Sequence, residues 1–327
     1  MAGVIGIGNA LTDIMTMLPN DSVITKLKYP KGSMQLVDKT ASQKVLDEIR
    51  SIKKSITSGG SAANTIHGLA KLGIRTGFIG KVGQDEFGNF FSEDLLKSNI
   101  NPVLLKSSTD SGRAIALVSP DSERTFATYL GAAVELTSKD IKPEFFDKYK
   151  YLHIEGYLLQ NHELMISVAK KAKKAKLKIS LDLASFNVVE SNYDFLHQFV
   201  NEYVDIVFAN EEEAKAYTGY GPEMAVQIIA DECDIAVVKM GKEGSLIKHN
   251  RVTHNIEAIK AKSIDTTGAG DLYAAGFLYG LIMNIGFKKS GRVASLLAGR
   301  VIETIGAKIN DKEWKKIHNE IAEIKVN

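Results

Sequence analysis

Six short apolar runs recur along the chain, separated by longer segments with helical spacing, and this alternation restricts the fold more than any other feature. The runs are "VIGIG" (4–8), "TGFIG" (76–80), "YLHI" (151–154), "KISLDL" (178–183), "VDIVFAN" (204–210) and "DIAVVKM" (234–240). Several are apolar on both faces, as the central strands of a parallel sheet covered by helices must be. Between them, "AANTIHGLAKLG" (62–73) sets Ala62, Ile66, Leu69 and Ala70 along one helical face, and Gly73 supplies a stop. The segments "HELMISVAKKAKK" (162–174) and "GRVASLLAGRVIETIG" (291–306) repeat the pattern. Strands alternating with helices predict an α/β protein, a three-layer α/β/α fold with a mostly parallel central sheet.

Two regions interrupt the rhythm. Residues 12–38 hold no clear long helix, and residues 101–131 contain "GRAIALVSPDSERTFATYLG", two alternating runs around "SPDSE" that predict a hairpin. Half-exposed antiparallel strands inside an α/β chain suggest a small β-sheet standing apart, placed to cover a site as a lid. With no repeat, low-complexity tract or Pro/Gly linker, residues 1–327 are expected to form one domain carrying that lid.

The bulk numbers exclude several function classes. Apolar residues make up 44% of the 327 and charged residues 24%, ordinary for a chain with a large core. A net charge of +2 gives no argument for nucleic acid or a membrane surface. The lysine-rich run 170–178 reads as a solvated helix face leading into a strand. The single cysteine, Cys233, permits no intrachain disulfide and reads as a packing residue. With no signal-peptide pattern, a reducing cytoplasm is the expected compartment. No apolar run nears the ~20 residues of a bilayer span, and the seven histidines show no metal-site spacing.

The chemistry is concentrated in "DTTGAGD" (265–271), which leads into an apolar helix. First-turn N–H groups of a helix lack intrahelical partners, and with the helix dipole they attract anions. Gly268, Ala269 and Gly270 let an anion approach the backbone and so form an anion hole. Asp271 at its edge is a poor partner for bare phosphate but a good general base for a hydroxyl attacking one. Anion hole and base together are what phosphoryl transfer to an alcohol requires. The plainer reading is a Gly-rich turn with a helix-stabilising acid.

This stretch resembles the signature of the pfkB-type carbohydrate kinases, the ribokinase family. Further segments in family order resemble it too: "GGSAANT" (59–65), "GKVGQDEFG" (80–88), "NEEE" (210–213) and "GKEG" (241–244). "GNALTDI" (8–14), "KGSMQLVD" (31–38) and "EGYLL" (155–159) are most similar to the adenosine-kinase-like branch. The resemblance implies a ribokinase-like fold and transfer of the γ-phosphoryl of ATP, with Mg²⁺, to a sugar or nucleoside hydroxyl. It implies that Asp271 is the base, and that Asp13, Asn64, Gly59 and Gly60 hold acceptor hydroxyls. It assigns Asn210 and Glu213 to Mg²⁺, water and phosphate, Gly241 and Gly244 to the nucleotide, and the backbone near Asp265 and Thr267 to a monovalent cation such as K⁺. A homodimer paired through the lids is left open.

Each assignment has an ordinary structural counterpart. Asp13 also suits a turn, Asn64 a helix start, Glu213 a solvated acidic first turn, and Gly241 and Gly244 a tight turn. Arg124, in the lid hairpin, either clamps transferring phosphate or lies on the surface. Lys239 stands where many family members carry Thr, and reaches either nucleotide phosphate or solvent. Asp182 and Asn187 follow a strand whose carboxyl end is where such sheets bind ligands. Phe126, Tyr129, Tyr157 and Phe186 are candidates for stacking a base, or for the core.

The sequence argues against the rival functions. "GIGNAL" (6–11) begins a dinucleotide fingerprint but lacks its third glycine, which argues against an NAD-dependent dehydrogenase. No G-x-x-x-x-G-K-[ST] occurs, so no Walker P-loop is present. A non-catalytic sugar- or nucleoside-binding protein on the same fold is disfavoured by the intact Asp271 and anion-hole motif. Adenosine, another nucleoside, ribose and fructose all stay open as acceptors.

Overall fold

The computed structural model describes residues 2–121 and 123–326. The chain opens with β1 (Val4–Ile7), β2 (Leu11–Met17), α1 (Ser22–Leu27), β3 (Met34–Leu36), α2 (Lys39–Glu48) and β4 (Lys54–Gly59). It continues with α3 (Ser61–Lys71), β5 (Thr76–Gly83), α4 (Glu86–Lys97), β6 (Ile100–Ser107), β7 (Gly112–Val118) and β8 (Arg124–Tyr129). Next come β9 (Tyr151–Glu155), α5 (His162–Lys174), β10 (Lys178–Asp182), α6 (Phe186–Ser191), α7 (Tyr193–Tyr203) and β11 (Ile206–Asn210). The last elements are α8 (Glu211–Thr218), α9 (Pro222–Glu232), β12 (Ile235–Lys239), β13 (Ser245–His249), β14 (Val252–Ile256), α10 (Ala269–Ile282), α11 (Phe287–Val301) and α12 (Asp311–Val326).

All six apolar runs become strands of one nine-stranded sheet in the order β14-β13-β12-β11-β10-β9-β1-β5-β6. Pairing is parallel from β12 through β6 and antiparallel only at the β13 and β14 edge. Side chains alternate across the sheet, so each strand feeds two cores. Ile5, Ile179 and Val207 pack under α5, α7, α8 and α9, while Val4, Phe208 and Val237 pack under α3, α4, α10 and α11. The helix predicted over 62–73 is α3, and Gly73 ends it at φ +78°, with the Ile74 N–H reaching back to the Leu69 carbonyl at 3.1 Å. The lysine-rich run closes α5 and enters β10, with Lys173 paired to Asp205 and Lys178 to Asp234. Among the described residues no helix is long and apolar enough to cross a membrane.

A second sheet, in the order β3-β8-β7-β2-β4, stands apart as the expected lid. The predicted hairpin is β7 and β8, paired antiparallel from Arg113–Tyr129 to Val118–Arg124; Ser122 in its turn lies outside the described residues. One expected boundary is corrected. Within 101–131, the stretch up to Ser107 is not lid but β6, paired in parallel along the whole length of β5 at the edge of the large sheet. The lid instead gains β4, which sequence pattern did not reveal because "KSITSG" carries one apolar residue, Ile56, and no alternation. One lid face buries Ile14, Ile115, Leu117 and Ala127 against Ile24, Leu27, Val45 and Ile49 of α1, α2 and the residue after α2. The other face is turned toward the body.

The body helices meet closely where α3 crosses α10. A Cβ on Gly68 would lie 2.8 Å from Ala275 Cβ and 2.9 Å from Leu272 Cδ1. Gly68→Val is expected to overpack this crossing and cost about 1–3 kcal/mol, read as a lower urea midpoint with an unchanged m-value.

Candidate functional site

Helix α10 begins at Ala269 with Gly268 as its N-cap in the left-handed region, φ +78°. Gly268 also packs against Ala307, leaving no room for a side chain. The Ala269 N–H donates to the Thr266 carbonyl at 3.2 Å. The N–H groups of Gly270 and Asp271 open the first turn, where no earlier carbonyl of the helix reaches them. The donors free to meet an anion in "DTTGAGD" are therefore those next to Gly270 rather than all three of Gly268, Ala269 and Gly270.

Asp271 faces the start of α3. Ser61 Oγ donates to its Oδ1 at 2.7 Å, Asn64 Nδ2 donates to Oδ2 at 2.9 Å, and Thr65 Oγ1 donates to its backbone carbonyl at 3.1 Å. Burial pushes the Asp271 carboxyl up to about 6; the two side-chain donors pull it down and the Asp182 charge adds to the rise. It is thus a carboxylate near neutrality with more basicity than an exposed aspartate.

Gly59, Gly60, Asn64 and Asp13 collect beside it. Asp13 lies on lid strand β2 rather than in a turn, and its carboxylate rests against Gly59, where a Cβ would come within 2.1 Å of Oδ2. Burial raises Asp13 to about 7, with Lys308 pulling it down and Asp271 pushing it up. Asn64 donates to Asp271 through its amide nitrogen, while its Oδ1 is buried without a partner. An orphaned buried acceptor beside a carboxylate is a place for a ligand hydroxyl.

On the other side of Asp271 a cavity of about 850 Å³ opens, reached by Asp182, Lys239, Gly241, Gly244 and Glu213. Its far end is apolar, lined by Ile259, Ala261, Ala298 and Ile302. Lys239 does not extend free into solvent: its Nζ donates to Asp182 Oδ2 at 2.9 Å, 3.1 Å from where a Cβ on Gly270 would sit. Burial works against its charge, but Asp182 and Glu213 hold its pKa above the ordinary lysine value. Gly241 and Gly244 both make the turn after β12 and line the cavity, so their two readings coincide. Of the two candidates after β10, Asp182 reaches the cavity and exposed Asn187 does not.

Glu213 is not a solvated first-turn acid, since it is 3% exposed. It forms a capping box, accepting the Asn210 N–H at 2.8 Å and Asn210 Nδ2 at 2.7 Å while Asn210 Oδ1 accepts the Glu213 N–H at 2.9 Å. Its neighbours Glu211 and Glu212 are exposed, as their place in the helix suggests. Among the described residues no three acidic, histidine or cysteine side chains converge to cage a metal by themselves. A magnesium ion fits the acidic rim of Asp182 and Glu213 only as an ion brought with phosphate ligands and keeping its waters.

Arg124 is not a surface residue either. From β8 it donates through Nη1 to Thr267 Oγ1 at 2.8 Å and pairs with buried Asp265. Asp265 also accepts the N–H groups of Thr267 and Gly306, both at 2.7 Å. A lid side chain is therefore tied to the loop that leads into α10. Phe126 lies on the body-facing side of the lid, Tyr129 lies on the opposite face beneath Arg113, and Tyr157 and Phe186 are each 41% exposed, Tyr157 at the cavity. Burial drives the Cys233 thiol up to about 12, so it is a packing residue.

Three contributors escaped the sequence reading: Ser61, Glu155 and Lys308. Ser61 and Glu155 sit inside "GGSAANT" and "EGYLL", but their partners are set by how α3 meets α10 and β9. Lys308 reaches Ser58 Oγ at 2.8 Å and Asp94 Oδ2 at 2.6 Å, and nothing local in the sequence marks it.

Arg124→Ala is expected to leave Asp265 short of its cationic partner. Stability should fall by about 1–3 kcal/mol, and hydrogen exchange at the Thr267 and Gly306 amides should quicken while that of β10 stays unchanged.

Comparison with known proteins bears on the family and the fold. The family model described as pfkB family carbohydrate kinase matches residues 33–314. A solved structure of a probable sugar kinase from Rhizobium etli is 30% identical, with a TM-score of 0.86 over 99% of both chains. An adenosine kinase from Sinorhizobium meliloti is also 30% identical, with a TM-score of 0.85 over 98% of this chain and 99% of its own. A 5-dehydro-2-deoxygluconokinase from Bacillus licheniformis is 28% identical over 261 residues, 75% of this chain and 80% of that protein.

Proposed function

The chain belongs to the pfkB family of carbohydrate kinases, and from that premise we propose that it transfers the γ-phosphoryl of ATP to a hydroxyl of a nucleoside, with Asp271 as general base. The observation that carries the nucleoside reading is the body-facing side of the lid. Strand register sets Leu36, Thr128, Ala114 and Asp13 in one row, and Met34, Phe126, Ala116 and Met15 in the next. Met34 and Leu36 are 61% and 68% exposed. Two alanines form a shallow floor between larger apolar side chains, beside a carboxylate. A nucleobase offers a planar apolar face to such a floor and its ribose offers a diol to Asp13, whereas a free sugar has no apolar face of that size. The adenosine kinase of similar fold supports the same reading.

The roles follow from position. Asp13 and the free Oδ1 of Asn64 accept from acceptor hydroxyls, orienting the reacting one toward Asp271. Asp271 takes its proton, the alkoxide oxygen attacks the γ-phosphorus, and the bond to the β–γ bridging oxygen breaks to release ADP. The Gly270 backbone and Lys239 lie where charge gathers on the transferring group, and fixed charge there stabilises the transition state. The apolar end of the cavity near Ile259 and Ile302 takes the adenine of ATP. Magnesium, when bound, neutralises triphosphate charge, with Glu213 and Asp182 placed to hold its waters. A monovalent cation at the Asp265–Thr267 backbone belongs to the same proposal, and comparing turnover in potassium and sodium salts tests it.

The deciding experiment is ATP consumption with Mg²⁺ across a panel of nucleosides and free sugars. Turnover on nucleosides is expected; turnover confined to free sugars would overturn the acceptor reading, and binding without turnover would favour a non-catalytic binding protein. Phe126→Ala should raise the nucleoside KM by about tenfold and leave the KM for ATP unchanged.

Asp271→Asn should lower kcat by about 10²–10⁴-fold; unchanged turnover would remove Asp271 from the mechanism. The base works only when deprotonated, so kcat should rise through pH about 6 and level off above it. Ser61 stabilises the carboxylate, so Ser61→Ala should raise the Asp271 pKa and move that acid limb to higher pH.

A further inference from the structure

Beyond Asp271, helix α10 carries no polar side chain except two tyrosines, Tyr273 and Tyr279, which are 5% and 7% exposed. A buried phenol must find a partner for its hydroxyl, and the two find theirs in different places. Tyr279, near the far end of α10, accepts from Lys325 Nζ of α12 at 2.5 Å. The Tyr273 hydroxyl meets Ser245 Oγ at 2.5 Å, at the fully buried first residue of β13. Burial pushes the Tyr273 phenol up, so it stays protonated. Tyr273 lines the same cavity as Lys239 and Gly270.

Ser245 lies directly opposite Lys239 in the antiparallel pair of β12 and β13, so both side chains leave one face of the sheet. Lys239 Nζ comes within 3.1 Å of where a Cβ on Gly270 would sit. Gly270 and Tyr273, three residues apart, are neighbours on one face of α10. The four residues therefore close a circuit. Gly270 lies over Lys239 and Tyr273 lies on Ser245, with a helical turn joining one side and a strand pair the other. Ser245 is a firm anchor in it. Gly244, just before it, sits at φ +93°, where a Cβ would run into the Ile256 carbonyl oxygen, and its own carbonyl accepts the Met240 N–H at 2.8 Å. Backbone contacts thus hold the turn between Lys239 and Ser245, and the Tyr273 hydroxyl fastens that turn to α10.

We propose that Tyr273 is a positioning residue for phosphoryl transfer: through Ser245 it sets the gap between the first-turn N–H groups of α10 and the Lys239 ammonium. This inference rests on the proposed kinase reaction, in which the transferring group passes between those two sources of positive charge. Fixed donors stabilise such a group only while their spacing holds, and a misplacement of about 1 Å can cost about 10²-fold in rate. Asp271 is gripped from the other side, by Ser61 and Asn64, and its orientation does not depend on this brace.

The test is steady-state kinetics and calorimetric nucleotide binding on Tyr273→Phe, Ser245→Ala and the double variant. Tyr279→Phe is the control, since it removes one buried, bonded hydroxyl from the same helix away from the cavity. Tyr273→Phe and Ser245→Ala should each lower kcat by about tenfold. Each should also weaken ATP binding in the presence of Mg²⁺ by about fivefold, the worth of one hydrogen bond. The acceptor KM and the affinity for AMP, which lacks the outer phosphates, should stay within about twofold of wild type. The acid limb of the kcat profile at pH about 6 belongs to Asp271 and should not move. Because the two hydroxyls act as one unit, the double variant should be no slower than the slower single variant. Tyr279→Phe should lose stability yet keep the wild-type kcat and ATP affinity.

Unchanged kcat in Tyr273→Phe would overturn the brace, as would an equal loss in Tyr279→Phe or losses that multiply in the double variant. A wild-type protein that binds ATP but phosphorylates neither nucleosides nor sugars would remove the kinase reading. The ATP and AMP affinities of the variants would still decide the brace: a loss confined to ATP supports it, and equal losses for both nucleotides overturn it.

Discussion

Everything at this site turns on the grip of α3 on Asp271. The acid sits in the first turn of α10, and Ser61 and Asn64 at the start of α3 each hold one of its oxygens. The contact exists only because the two helices cross closely, which Gly68 allows. On one side of Asp271 lie Asp13 and the unpartnered oxygen of Asn64; on the other lie Lys239 and the 850 Å³ cavity. In the proposed reaction, acceptor and donor approach from those two sides and meet at one carboxylate whose direction is already set. Preorganisation of this kind reduces the rearrangement left to the transition state.

The electrostatics are balanced by two lysines. The Asp182 charge pushes Glu213 and Asp271 toward the protonated form, and Lys239 works against that rise at both while helping to hold Asp182 itself below the ordinary carboxylate range. On the acceptor side Lys308 acts in the same sense on Asp13. Removing either cation would take away an effect that lowers the pKa of the buried carboxylates beside it. A triphosphate entering beside Lys239 meets a cation already held in place by Asp182.

The lid divides its two faces between two tasks. One face is closed by α1 and α2 and forms a small core of its own, so the lid keeps its shape. The other carries Asp13, the alanine floor and Arg124, and Arg124 reaches the loop that leads into α10. Lid position and loop shape are thus parts of one arrangement, and at the crossings between the two sheets Glu155 and Asp85 accept backbone N–H groups.

The sequence alone was enough to determine what depends on near neighbours. Apolar runs on both faces dictated the parallel sheet, the hairpin around "SPDSE" marked the lid, and "DTTGAGD" marked a helix start with an acid in its first turn, because these are local objects. It was blind where partners are far apart in the chain. β4 carries almost no apolar signal and becomes a strand only by pairing with β2; β6 joins the large sheet because β5 offers a full edge. Asp13, Arg124, Lys239 and Glu213 each admitted two readings, since their local sequence suits a turn, a surface or a cap as well as a site. Ser61, Glu155 and Lys308 stayed silent for the same reason: the groups they bind are 210, 146 and 214 residues away. Burial and hydrogen bonding over such separations exist only once the chain has packed, and the tertiary structure alone decided them.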